Sequence, residues 1–120
     1  MSPKKDVSYH ILRIALGITF VWIGILIFQN PETWGGYIQP WAADLLPIPL
    51  REAMIGTAIL DIAVGFLFLI DVLTWAAGII GALHLIVVLT TAGISGVTVR
   101  DIGILGGAIA IAYNAWKYRK

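Results

Sequence analysis

Cysteine is absent from this sequence of 120 residues, and charged residues make up only 12% of it. The lack of thiols excludes disulfide bonds, thiolate metal sites, iron–sulfur clusters and dithiol relay chemistry. Any redox role therefore needs a bound cofactor or a partner protein. The two histidines, His10 and His84, fall at different depths of the predicted helices, so no metal site is predicted. The few basic residues form no long patch, so nucleic acid is not expected as a partner.

Apolar residues, in contrast, make up 59% of the chain, more than a soluble domain of this length can bury. A helix that crosses the hydrocarbon core of a bilayer takes about 20 mostly apolar residues. Four runs meet this length, over residues 9–28, 51–70, 73–92 and 99–116. Each run must be helical because lipid offers the backbone no hydrogen-bond partner. The sequence therefore predicts an all-α integral membrane four-helix bundle that forms a single domain over residues 1–120.

Basic residues are distributed unevenly between the two ends of the predicted bundle. The connections at one end carry only Arg51 and Arg100, both at predicted helix ends. The two tails, at the other end, carry Lys4, Lys5, Lys117, Arg119 and Lys120. Because cytoplasmic segments of membrane proteins are enriched in Lys and Arg, we expect both termini in the cytoplasm and the protein in the cytoplasmic membrane.

The segment between the first two predicted spans, residues 29–50, differs from the other connections by its length. Asn30-Pro31-Glu32 is typical of a helix start, and apolar and aromatic residues follow at near-helical spacing. Gly35-Gly36 and three prolines interrupt this pattern. The prediction is a short, broken amphipathic segment on the outer surface, acting as a lid or lateral gate for a lipid-soluble ligand. An ordinary anchoring loop fits the same residues.

Three ionisable residues, Arg13, Asp61 and His84, fall inside predicted spans, where a charge costs about 2.5–3.5 kcal/mol on insertion scales and is a functional hypothesis by default. Asp61 comes eleven residues before Val72 in the turn between the second and third spans, and His84 comes twelve after it. In an antiparallel hairpin both then lie at nearly the same depth, near the bilayer midplane. They are candidates for a polar ligand or proton site, and equally for a structural hydrogen bond. Arg13 is expected to reach the head groups, to pair with Asp71, or to reach Asp61.

Three further charged residues lie at span ends, where water is near, and are interpreted as structural helix-end groups: Asp71, Arg100 and Asp101. Thr98 stands three residues before Asp101, which is the spacing of a capping box. This spacing predicts that the two side chains cap the fourth helix.

Small residues recur along the spans, as in Gly103-x-x-x-Gly107 and in the pair Gly17 and Gly24, which lie seven residues apart. Small residues let helix backbones approach closely inside a membrane. Packing within the bundle is the favoured interpretation. A membrane protein partner, or a homo-oligomer that uses the same glycine-rich faces, remains the alternative.

Three stretches resemble the DoxX-like family of small bacterial and archaeal membrane proteins. Residues 12–24 (LRIALGITFVWIG) are similar to the opening helix of that family, with its arginine, glycines and aromatic positions. Asp61-Ile62-Ala63-Val64-Gly65 is similar to the acidic residue and glycine of its second helix. Residues 100–106 (RDIGILG) are similar to the start of its fourth helix. The resemblance covers nearly the whole chain.

The resemblance implies a four-helix bundle in the cell membrane of a prokaryote. Named relatives are linked to subunits of thiosulfate:quinone oxidoreductase and to membrane redox complexes, which implies quinone as the ligand, with no intrinsic cofactor. If the protein is enzymatic, it is a quinone-linked oxidoreductase subunit that needs a partner. Asp61, His84 and Arg13 would line the ligand site. The alternatives are a non-catalytic accessory subunit of a larger membrane complex and a small proton-coupled transporter, which the lack of a detectable inverted repeat disfavours.

Overall fold

The computed structural model describes residues 7–93, 95 and 98–118, and within these residues all regular secondary structure is helical. This confirms the all-α prediction. The helices are α1 (Val7–Gln29), α2 (Pro31–Gly35), α3 (Pro40–Ala43), α4 (Leu50–Ile70), α5 (Thr74–Ala92) and α6 (Arg100–Lys117). Four of the basic tail residues on which the orientation was predicted lie outside the described residues: Lys4, Lys5, Arg119 and Lys120.

Three helices among the described residues, α1, α4 and α5, are long and apolar enough to cross a membrane. They contain 23, 21 and 19 residues. The predicted fourth span forms as α6, but it is not one of these three. Its 18 residues include Arg100, Asp101 and Lys117, so no window of that length is sufficiently free of charge. The sequence pattern thus predicted the fourth helix, and three of the four predicted spans are long and apolar enough to cross a membrane.

Helices α1 and α4 approach closely because glycines face the opposite backbone. A Cβ atom added at Gly65 would lie 2.7 Å from the carbonyl oxygen of Gly17. One added at Gly24 would lie 2.8 Å from the carbonyl oxygen of Ala58. No side chain fits in these places, so Gly17 and Gly24 serve packing within the bundle, as the favoured interpretation predicted.

Helices α5 and α6 form a second close pair, where a Cβ atom at Gly78 would lie 2.8 Å from Cβ of Ala112. The Gly103-x-x-x-Gly107 motif does not form a single interface. A Cβ atom at Gly107 would lie 3.2 Å from the Leu16 side chain in α1, whereas one at Gly103 would meet nothing within 4 Å. One glycine of the motif therefore packs inside the bundle and the other lies on its open surface.

The core is densest toward the end of the bundle where α1 begins and α6 ends, which we call the tail end. Phe68 and Ile111 are fully buried there, and Phe20 contacts Phe68 edge-on with ring centroids 5.7 Å apart. The opposite end is the lid end, where residues 30–49 form a segment that we call the lid. Apolar side chains pack the bundle at the tail end, and a cavity lies toward the lid.

The lid consists of α2 and α3, and α2 begins at Pro31, as Asn30-Pro31-Glu32 predicted. Gln39 attaches the lid to α5: its backbone N–H donates to the Thr91 carbonyl at 2.9 Å, and its Nε2 donates to the Ala92 carbonyl at 3.4 Å. The last carbonyls of a helix lack partners within the helix. The lid therefore satisfies groups that α5 leaves open.

A second attachment joins α2 to the start of α4. The Arg51 guanidinium donates to the Glu32 carboxylate at 2.6 Å. This hydrogen bond holds the pKa of Glu32 below its usual value. Both side chains are largely exposed to solvent, so the attachment is screened by water and salt.

Candidate functional site

The turn between α4 and α5 determines which residues of the two helices meet. Asp71 and Leu73 both adopt the left-handed conformation, with φ of 57° and 51°, so the chain reverses within three residues. Asp61 Oδ1 then lies 3.5 Å from His84 Nε2. This confirms the predicted equal depth of the two residues, and the faces of the two helices agree, so their side chains meet. Asp61 is buried, with 4% of its surface exposed, and the His84 side chain is nearly so.

A cavity of about 680 Å³ occupies the lid end of the bundle, and Asp61 and His84 line it. Its wall is mostly apolar and includes four aromatic side chains: Phe20, Trp22, Trp34 and Tyr37. The other polar and charged lining residues are Thr19, Thr57, Thr91, Thr98, Arg100 and Asp101. A mostly apolar cavity of this size with a few polar groups is typical of a small-molecule site.

Two lining residues of α1 connect the cavity with the side of the bundle. Ile18 and Trp22 belong to the wall of the cavity, yet 50% and 65% of their surfaces are exposed. Both lie in a helix that is apolar and long enough to cross a membrane. These two residues therefore belong both to the wall of the cavity and to the outer surface of α1.

The predicted capping box of α6 does not form. Helix α6 has Val99 at its N-cap and no side-chain hydrogen bond there. The Thr98 hydroxyl accepts a hydrogen bond from the Ser95 backbone N–H at 2.8 Å and donates to the Gly93 carbonyl, so it is engaged with the preceding loop. The prediction was wrong because this loop contact was not visible in the spacing. Asp101 instead lines the cavity.

Arg13 lies at the tail end, away from the cavity. Its Nη1 donates to the carbonyl oxygens of Phe68 and Leu69 at 2.6 and 2.9 Å. Its Nε donates to His10 Nδ1 at 3.2 Å and lies 3.9 Å from Asp71 Oδ2. Of the three predicted positions, pairing with Asp71 is observed. The guanidinium also satisfies carbonyls at the end of α4 that have no partner within the helix.

The structure therefore does not bring Arg13 to the pair of Asp61 and His84. Phe68 comes seven residues after Asp61 in α4, which separates their backbones by about 10 Å along the helix. Asp71 acts at the helix end, as predicted, and accepts hydrogen bonds from the Tyr9 hydroxyl at 2.9 Å and the Thr74 hydroxyl at 2.7 Å. The Asp71-x-x-Thr74 spacing was a signal for this turn that the sequence analysis did not use.

Asp101 and the aromatic residues of the lid are the site residues that the sequence analysis missed. Asp101 was interpreted as a helix-end group only. Trp34 and Tyr37 were placed in the lid without a contact to the midplane pair. No group of three or more metal-ligating side chains is found among the described residues.

Comparison of the chain with protein-family models, with curated proteins and with solved structures gives no match. Membership of the DoxX-like family therefore stays a prediction from the three sequence stretches. The structure by itself supports a helical protein with three helices long and apolar enough to cross a membrane and a cavity at the lid end.

Proposed function

We propose that this protein is a four-helix membrane protein that binds a quinone, or a similar lipid-soluble ligand with a polar head group, in the lid-end cavity. The observation that carries the proposal is the position of Asp61 and His84. They form a buried polar pair in the wall of a mostly apolar cavity. Ionisable groups at such depth are expensive to place, and they are usually retained for a ligand or a proton.

The chemistry of the cavity suits a quinone. The His84 ring can donate a hydrogen bond to a ring oxygen of the ligand, and the apolar wall accommodates a flat ring and an isoprenoid tail. The volume of about 680 Å³ falls within the usual range for small-molecule sites. The exposed wall residues Ile18 and Trp22 offer entry from the bilayer, where a quinone is dissolved.

The proposal includes a fourth membrane crossing by α6. This helix packs against α5 along its length through close contacts such as that of Gly78 with Ala112. Its charged residues lie at its two ends, with Arg100 and Asp101 at the lid end and Lys117 at the tail end. Charges at the ends of a span can reach the head groups. With the tails rich in Lys and Arg, both termini would face the cytoplasm.

The chain has no cysteine, so it has no thiol that could exchange electrons with a quinone. In a redox system it would therefore act as a subunit, with a partner exchanging electrons with the quinone. Kinship with the DoxX-like family, which the sequence suggests, agrees with this role.

Binding of a short-tailed quinone to the purified protein in nanodiscs tests the proposal. We expect Asp61→Asn and His84→Ala each to raise the Kd at least tenfold, which corresponds to about 1.4 kcal/mol. Thr90→Val is the matched control, because Thr90 lies in α5, as His84 does, and is not part of the cavity wall. Its hydroxyl group donates to the Ile86 carbonyl of the same helix at 2.8 Å. Absence of binding to the wild-type protein, or equal binding by all variants, would refute the proposal.

A non-catalytic accessory subunit is the second candidate, and the open surface of α6 favours it. A Cβ atom at Gly103 or Gly106 would meet nothing within 4 Å, so a neighbouring helix can approach this backbone closely. Native mass spectrometry of mildly extracted membranes distinguishes the two roles. A defined complex that persists in Asp61→Asn protein without any bound quinone supports the accessory role, and a lone monomer contradicts it.

A further inference from the structure

The wall of the cavity contains two carboxyl groups, those of Asp61 and Asp101, and these bear on the redox state of the ligand. The titratable and charged side chains in its wall are Asp61, His84, Arg100 and Asp101. A quinone has carbonyl oxygens and only accepts hydrogen bonds, whereas the corresponding hydroquinone has hydroxyl groups and donates them. The balance of donors and acceptors in the site therefore selects between the two forms.

Asp61 and His84 together offer one acceptor and a second group that donates or accepts. Asp61 Oδ1 faces His84 Nε2 at 3.5 Å, and its Oδ2 remains to accept a hydrogen bond from a ligand. His84 Nδ1 donates when it carries the ring proton and accepts when the proton is on Nε2.

Three of the four threonine hydroxyl groups in the wall add acceptors. Thr19 donates its proton to the Ala15 carbonyl at 2.9 Å, and Thr91 donates its own to the Val87 carbonyl at 2.9 Å. Thr98 donates to a carbonyl of the loop before α6. A hydroxyl group has a single proton, so these three residues have only lone pairs left to offer a ligand.

Asp101 adds two more acceptor oxygens. Its carboxylate belongs to the cavity wall, and it makes no hydrogen bond with any of the described residues. The wall also contains donors, among them the hydroxyl group of Thr57. Trp34 and Tyr37 belong to the lid, Trp22 is 65% exposed on the side of the bundle, and Arg100 is exposed at the start of α6.

We infer that the cavity binds the hydroquinone form more tightly than the quinone form. Asp101 is then a ligand-binding residue whose carboxylate accepts a hydrogen bond from a hydroxyl group of the reduced head group. The inference rests on the proposed function, since it specifies which form of the ligand the same site prefers. A quinone would leave the Asp101 carboxylate, which has no other hydrogen-bond partner among the described residues, facing carbonyl lone pairs. Unpaired or opposed polar groups in a cavity disfavour such a ligand more strongly than a missing contact does.

The test compares decylubiquinone with decylubiquinol, each bound to the full chain in nanodiscs under conditions that keep its redox state. Equilibrium dialysis gives the two Kd values, and a redox titration of the bound couple gives its midpoint potential. We expect the wild-type protein to bind the quinol at least tenfold more tightly, which raises the midpoint potential of the bound two-electron couple by about 30 mV relative to the free one.

Asp101→Asn replaces one acceptor oxygen by an N–H donor of the same shape, and we expect the preference for the quinol to fall to threefold or less. Asp101→Glu retains the carboxylate and should keep most of the preference. Asp44→Asn is the matched control, because Asp44 is an exposed carboxylate in the lid outside the cavity wall. Retained helical circular dichroism shows that each variant is folded.

The outcomes separate the inference from the proposed function. If neither form binds the wild-type protein, the proposed function fails and the inference fails with it. If both forms bind with equal affinity, or the quinone binds more tightly, the inference is overturned while the proposed function stands. If the quinol binds more tightly and Asp101→Asn leaves the ratio unchanged, the assignment of Asp101 is overturned.

Discussion

Replacement of Arg13 by methionine separates a structural role of this residue from the ligand-binding role that its place in the sequence suggests. Met has a similar length and no hydrogen-bond donor. The substitution removes the bonds from Nη1 to the carbonyl oxygens of Phe68 and Leu69, at 2.6 and 2.9 Å. It also leaves the Asp71 carboxylate without the guanidinium at 3.9 Å.

The expected loss follows from these contacts. A hydrogen bond from a charged donor contributes about 1.5–3 kcal/mol. The Phe68 carbonyl keeps a second bond from the Asp71 backbone N–H at 3.2 Å, and Asp71 keeps its bonds from Tyr9 and Thr74. The lower end of the range therefore applies to each lost bond, and we expect Arg13→Met to reduce the free energy of unfolding by about 3 kcal/mol.

Steric trapping in bicelles is the suitable assay, because it measures unfolding from a chain that remains inserted and so excludes the change in insertion energy. Arg51→Met is the matched control, since it removes another arginine whose pair with Glu32 is exposed and is expected to contribute little. Quinone affinity should stay within twofold of the wild-type value in both variants. Equal stability of the two variants, or a large loss of affinity in Arg13→Met, would refute the structural role.

Two further predictions concern helix packing and the lid. Gly65→Ala is expected to lower the melting temperature clearly, because the new Cβ atom would lie 2.7 Å from the Gly17 carbonyl oxygen. At Gly56 a Cβ atom would meet nothing within 4 Å, so Gly56→Ala should stabilise the protein by up to about 1 kcal/mol through helix propensity. Circular dichroism melts compare the two, and equal melting temperatures would contradict the close contact of α1 with α4. The attachment of Glu32 to Arg51 should be complete at neutral pH and weaken only as the pH falls through the lowered pKa of Glu32. A carboxyl group with a lowered pKa in the folded state contributes its full stabilisation above its unfolded pKa and loses it as it becomes protonated. Fluorine NMR of a labelled lid tryptophan would follow this change, and an identical titration in Glu32→Gln protein would count against it.

Several features of the fold followed from the sequence alone because they depend on local properties. Long apolar runs specify helices wherever the backbone must satisfy its own hydrogen bonds, so α1, α4 and α5 were predicted to within a few residues. Asn30-Pro31-Glu32 predicted the start of α2 because proline suits the first turn of a helix. The equal depth of Asp61 and His84 followed from the position of a tight turn and the rise of a helix, and the structure, in which the helix faces also agree, places the two side chains 3.5 Å apart.

Other features depended on which faces of the helices meet, and hydropathy carries no information about that. Arg13 had three partners within reach of its long side chain, and the packing of α1 against the end of α4 decided among them. The favoured interpretation placed both glycines of Gly103-x-x-x-Gly107 in packing within the bundle, but the position of α6 beside α1 brings only the second against a neighbouring helix.

The sequence by itself thus determined the helical class, the broken lid and the level at which the polar pair lies, since each depends on hydropathy, proline and residue spacing along one chain. Only the tertiary structure decided that the space beside this pair stays open toward the lid, and that Asp101 turns into it rather than capping α6. The physical reason is that a cavity is defined by the distance between helices. Small residues at Gly17, Gly24, Gly65 and Gly78 set that distance, but they do so only against the particular neighbours that the fold supplies.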